Sequence, residues 1–165
     1  MQNRKQTNSL PDLKSLILFA SAQAEKLFRR QRVIYPMYHC IKSNGDNVIL
    51  NAMDADKDLS VAMTKAWMQL NDVERYVFID EAWILDNRKG DLPEIDIERA
   101  RREGLSNHPD RREIVMFAAE NRQSMQTARR FILRPEVGRP TLSPLIIDDI
   151  PDHSEGRMVG LLKRE

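Results

Sequence analysis

Cysteine occurs once in this sequence, at position 40, so the chain can form no internal disulfide and no zinc site built on several thiolates. Nothing in that usage marks an oxidising compartment, and the expectation is a cytoplasmic protein. Glycine is scarce as well. The six glycines are scattered and complete neither G-x-G-x-x-G nor G-x-x-x-x-G-K, so the usual backbone cradles for nucleotide phosphates are missing. The G-x-S-x-G turn that exposes a nucleophilic serine is also absent. No stretch approaches the ~20 apolar residues needed to cross a bilayer, and the polar start from Met1 to Ser9 lacks the apolar centre of a secretory signal. No membrane association is expected. Neither sign of charge dominates: 26 Lys+Arg against 25 Asp+Glu leave a net charge of +1, without the general attraction to phosphate that nucleic-acid binders carry.

What is present describes a scaffold. A hydrophobic fraction of 41% and a charged fraction of 31% match ordinary globular usage, so residues 1–165 are read as one self-supporting domain. Its subdivisions are a polar amino terminus over 1–9, a polar insertion over 86–112 and a tail over 148–165 whose structure the sequence does not specify.

Apolar residues at Leu13, Leu16, Ile17, Ala20, Ala24, Leu27 and Phe28 follow helical spacing and predict a first helix over about 10–31, with Ser9 and Asp12 as a capping box. Asn44-Gly45 then predicts a hairpin over 35–52. A two-residue loop would set Ile41 opposite Val48, His39 opposite Leu50 and Met37 opposite Ala52, with His39 on an apolar face. A second helix is expected after Asp56, its core stripe formed by Leu59, Ala62, Met63, Ala66, Trp67 and Leu70. Arg75 to Leu85 reads as a central strand, apolar on both faces. A helical piece over about 94–103 stops at Gly104, and strands follow at about 113–120, 126–134 and 142–147, with a short edge strand at 158–162. The order predicts an α+β fold: a mainly antiparallel sheet of about five to six strands with two covering helices.

Two polar segments interrupt this scaffold. Asp80 and Glu81 stand side by side in an otherwise apolar strand, Glu81 on the face of Ile79 and Trp83. A carboxylate half-covered there needs a cation or backbone donors to keep its charge. His108-Pro109-Asp110-Arg111-Arg112-Glu113 precedes the next strand, and antiparallel pairing would bring Glu113 and Asp110 to the end of the first strand near Trp83. The candidate binding residues are therefore Glu81, Trp83, His108, Asp110, Arg112 and Glu113. The plain reading is structural: Asp110 caps a turn, and charged pairs tie the strands together. The chemical reading gathers Glu81, Asp110 and Glu113 around a divalent ion with His108 as general acid or base. No His-Glu-x-x-His or Cys-x-x-Cys spacing supports a metal, and no cofactor is implied. Cys40 and His39, adjacent in a strand, point to opposite faces and make no nucleophilic pair. Arg129, Arg130, Arg134 and Arg139 are split between faces by alternation and form no single basic stripe, so nucleic acid is not an expected partner.

The E-A-W of Glu81-Ala82-Trp83 and the H-P-D-R-x-E of His108 to Glu113 resemble small bacterial and phage-associated proteins that carry the same two segments. That group has no established activity, so the resemblance implies a prokaryotic or phage setting and transfers no catalytic residue. Two readings of function stand at this point. One is a non-enzymatic binding or accessory protein, with Glu81 paired to Arg111 or Arg112 to tie the insertion to the sheet and Trp83 anchoring the join; a homo-oligomer or protein partner met through a strand edge or the face of Trp67 is a separate expectation. The other is a divalent-metal hydrolase built on Glu81, Asp110, Glu113 and His108.

Overall fold

A computed structural model of the chain describes residues 12–52, 56–85, 94–148 and 159–162. Helix α1 (Leu13–Gln31) starts at Asp12, whose carboxylate accepts from the Lys14 N–H, and ends where Arg32 turns left-handed at φ 60°. Ser9, the expected partner in a capping box, lies outside the described residues. Leu13, Leu16, Ile17, Ala20, Ala24 and Phe28 are buried. The small Ala20 and Ala24 let the helix lie close on the sheet.

All strand pairings are antiparallel: β1 (Met37–Lys42), β2 (Asn47–Asn51), β3 (Val73–Leu85), β4 (Arg111–Asn121), β5 (Met125–Leu133), β6 (Thr141–Leu142) and β7 (Ile146–Ile147). Their order is β2-β1-β3-β4-β5-β6, with β7 also on β5. Together with helices α2 (Lys57–Leu70) and α3 (Glu94–Glu103), this is an α+β arrangement. Among the described residues no helix is long and apolar enough to cross a membrane.

The strand expected at 142–147 is split. Pro144 has no N–H to give a ladder, and Ser143 fills the gap: its Oγ accepts from Phe131 N–H at 2.8 Å and its own N–H donates to Phe131 O at 2.8 Å. Of the edge strand expected at 158–162, Met158 lies outside the described residues, and residues 159–162 form a turn that buries Leu161 and Leu162.

The hairpin differs from expectation by one residue of register. Ile41 pairs with Asn47, His39 with Ile49 and Met37 with Asn51. The loop has three residues, Ser43 to Gly45, and Gly45 alone takes positive φ (89°) while Asn44 Oδ1 accepts from Asp46 N–H. Because side chains alternate, that slip turns all of β2 over. Leu50 packs into the core opposite α1, and Asn47 and Ile49 come to the side of α1.

Helix α2 is also rotated from expectation. Ser60 and Met68 are buried, and Val61 and Trp67 pack against the cluster of Tyr38, Cys40, Tyr76 and Phe78. Leu59, Met63 and Leu70 of the expected core stripe remain 58%, 59% and 86% exposed. The two-residue link to β3 sets this rotation, because Ser43 N–H donates to Asp72 O at 2.9 Å and holds the helix end against the hairpin loop.

The side of the sheet away from α1 is closed by a buried carboxylate. Glu120 is 1% exposed and accepts from Tyr76 Oη (2.6 Å), Gly160 N–H (2.6 Å) and Leu162 N–H (3.1 Å). Charge-assisted bonds of this kind are strong where water is excluded. Glu120→Ala leaves three buried donors without an acceptor and is expected to lower stability by about 3 kcal/mol. Chemical denaturation reads that loss, and hydrogen exchange should show the Gly160 and Leu162 amides opening first.

Candidate functional site

The two polar segments meet through the β3–β4 ladder, where Trp83 lies opposite Glu113, Glu81 opposite Val115 and Ile84 opposite Arg112. Glu81, Trp83 and Glu113 therefore share the face that carries α1. Glu81 accepts from the backbone N–H of Ile34 at 2.7 Å, in the link between α1 and β1. The expected pairing of Glu81 with Arg111 or Arg112 gives way to this contact. Arg111 stands 5.1 Å from the Trp83 ring and donates to Ser106 O, while Arg112 lies 3.7 Å from the Phe131 ring on the opposite face. Glu113 holds Arg134 with both carboxylate oxygens, which raises the arginine pKa further.

His108 is engaged within its own loop, its Nδ1 accepting from Asp110 N–H at 3.1 Å. His108, Arg111, Arg112, Glu113 and Arg134 line a cleft of about 520 Å³, while Asp110 faces a different hollow of about 330 Å³ toward α3. Glu81, Trp83 and Glu113 line a third, of about 170 Å³. Among the described residues no three His, Cys, Asp or Glu side chains converge closely enough to hold a metal ion.

Asp80, on the other face, is pushed up to about 6, first by burial; the Glu81 N–H at 2.8 Å pulls it down, the Glu81 carboxylate pushes it up and Lys57 pulls it down. Cys40 is fully buried and burial pushes its thiol up to about 12, which removes it as a nucleophile at neutral pH. Arg130 pairs with Glu25 at 2.9 Å and Arg129 with Asp148 at 2.9 Å on opposite faces, so these arginines brace the sheet.

A larger concavity lies elsewhere. Between α1 and the β2-β1-β3 side of the sheet runs a groove of about 830 Å³, walled by Leu16, Phe19, Leu27, Met37, Ile49 and Ile79. His39 lies in its floor, 5% exposed, with Nε2 2.9 Å from Asn47 Oδ1 and its ring 5.2 Å from that of Phe19. Arg75 lines the same groove. It is 8% exposed, and its Nε and Nη1 have no hydrogen-bond partner. Sequence reasoning passed over Arg75 because it took the strand as beginning there. Alternation with Val77 and Ile79 was the available signal, since it places Arg75 on the covered face.

No family model matches the chain, and neither does any curated protein or solved structure.

Two predictions follow from the polar join. Replacing Glu81 by Ala leaves the Ile34 amide without its acceptor and is expected to cost about 1–3 kcal/mol, whereas Glu81→Gln keeps an acceptor oxygen and most of the stability. Equal melting of both variants and the parent would remove the latch role. For Asp80, a folded pKa raised above the ordinary 3.8 means that the fold favours the protonated form. Its contribution is fully present below about pH 4 and is lost as pH rises through about 6. Asp80→Asn, which mimics the protonated side chain, should therefore raise the melting temperature above about pH 7 and leave it nearly unchanged near pH 4.

Proposed function

We propose that this chain is a non-enzymatic binding protein that takes a small ligand in the groove beneath α1. The observation that carries the reading is Arg75, a guanidinium nine-tenths buried in an open, largely apolar groove with two nitrogens unbonded. A buried charge without a partner is costly, and protein interiors seldom keep one that has no use. The volume is within the range of small-molecule sites, about 300–1,000 Å³, and such sites are typically apolar with a few polar groups.

The polar join supports the same reading from the other side. Glu81 is bonded to Ile34, Glu113 to Arg134 and His108 to Asp110, so these groups hold the end of the sheet together. The metal-hydrolase alternative would need Glu81, Asp110 and Glu113 to converge, but Glu81 and Glu113 share one hollow while Asp110 lines another. A bacterial or phage accessory role, implied by the E-A-W and H-P-D-R-x-E segments, belongs to the same proposal.

An uncharged, polarity-sensitive dye such as Nile red tests the groove without reference to ligand charge. Its emission should rise and shift to the blue on the native protein. Phe19→Asp combined with Ile49→Asp, both at the exposed rim, should remove most of that signal while the protein stays folded. The matching pair on α2, Leu59→Asp with Met63→Asp, should leave it. Emission that survives the rim pair would sink the proposal.

A further inference from the structure

The groove is selective in its charge. Its lining includes three cationic side chains, Lys26, Arg30 and Arg75, and no carboxylate. This is a local choice of sign, because the chain as a whole is nearly neutral at +1. Elsewhere in the molecule the buried or half-buried arginines have oxygens to hold: Arg130 meets Glu25, Ser21 and the Ser143 carbonyl, and Arg129, although its Nε is also unbonded, meets Asp148. Among the described residues Arg75 has only Glu74, its sequence neighbour, whose carboxylate is 3.9 Å from Nη1, beyond hydrogen-bonding distance, with Nε left bare.

The groove also has two chemically distinct parts. Phe19 meets the His39 ring at a tilt of 49°, with centroids 5.2 Å apart, while the link after α1 reaches Glu81 through Ile34, so the first turns of the helix lie toward the hairpin end of the sheet. At that end Arg75 pairs with Ile41, which pairs with Asn47. Toward the other end the walls are Leu27, Met37 and Ile79, with the exposed Lys26 and Arg30 at the rim. From Ser15 to Arg30 the helix extends for about 22 Å at 1.5 Å per residue, so the groove has Arg75 in its floor toward one end and Lys26 and Arg30 on its helix wall toward the other.

We propose that the ligand is an amphipathic carboxylate, its head on Arg75 and its unbranched apolar body along the slot between α1 and Met37 and Ile79. A carboxylate matches the planar guanidinium in shape and charge; Nε and Nη1 are covered in the ligand-free structure, and a shift of the Arg75 side chain toward the groove gives them the acceptor they lack. The apolar body covers the wall that Phe19 and Ile49 leave open to water. This inference rests on the groove reading above, and the two can fail separately.

The experiment compares dodecanoate, dodecanol and dodecylammonium, each below its micelle concentration, by calorimetric titration of the full chain and of Arg75→Met. On the parent protein dodecanoate should bind at least about tenfold more tightly than dodecanol, with dodecylammonium weakest. Arg75→Met should bring dodecanoate to the level of dodecanol without weakening dodecanol. It should also leave the melting temperature of the ligand-free protein unchanged or higher, because it removes a buried charge that has no partner. Equal binding of dodecanoate and dodecanol to the parent overturns the carboxylate head and leaves the groove reading in place. A preference for dodecanoate that survives Arg75→Met overturns the role of Arg75. If none of the three binds while Nile red does, the amphipathic-carboxylate inference falls alone; if Nile red also fails to bind, both readings fall. A drop in ligand-free melting temperature with no binding to the parent assigns the slot to the chain itself or to a second copy, and overturns the inference. Should Arg75→Met not fold, Arg75→Lys and the selectivity of the parent among the three ligands decide the question.

Discussion

The ladder between β3 and β4 runs from Arg75 opposite Asn121 to Leu85 opposite Arg111, and almost everything of chemical interest is placed by it. One end brings Tyr76 beside Glu120, the carboxylate that anchors residues 160 and 162. The other brings Trp83 beside Glu113, and with it the loop that carries His108. Long antiparallel pairing is cooperative, because alternate side chains on each face pack against the same neighbours along its whole length. A one-residue slip here would exchange Val77, Ile79 and Val115 with Tyr76, Phe78 and Ile114, and would place Arg75 among the side chains on the far side of the sheet.

Either side of this ladder is used differently. Under α1 the floor is largely aliphatic, with Phe117 among it and the polar His39, Arg75 and Arg130 at its margins, and the helix leaves it partly uncovered toward β2. On the opposite side an aromatic cluster of Tyr38, Tyr76 and Phe78 packs edge to face and at tilted angles, and Met68 and the turn at 161–162 close over it. Burial raises the Tyr38 and Tyr76 hydroxyl pKa values well above the ordinary phenol range, so both stay protonated, and Tyr76 donates to Glu120. One side is a closed core; the other keeps a slot.

Much of this was legible from residues alone, and the reasons are local. Helix α1 announced itself through apolar spacing, β3 through a long apolar run, and the meeting of Trp83 with Glu113 through the simplest antiparallel continuation. What was not legible depended on choices that a pattern leaves open. Asn44-Gly45 suits either a two-residue or a three-residue loop, and only the second puts Asn47 beside His39. Helix α2 carries two stripes of similar period, and the short link at Asn71 and Asp72, pinned to Ser43, selects the one through Met68. The partner of Glu81 could not be read at all, because a backbone N–H leaves no trace in side-chain identity.

The two edges of the sheet are finished in different ways. On the β5 side, Ser143 and Pro144 break the outer row into β6 and β7, pieces too short to template another strand. On the β2 side the outer row is intact and, among the described residues, unpaired. A sheet with one blunted edge and one open edge can add a strand only once. Association through β2 would join two copies about a two-fold axis and would stop there, because the row broken at Ser143 offers no second edge from which a fibre could grow.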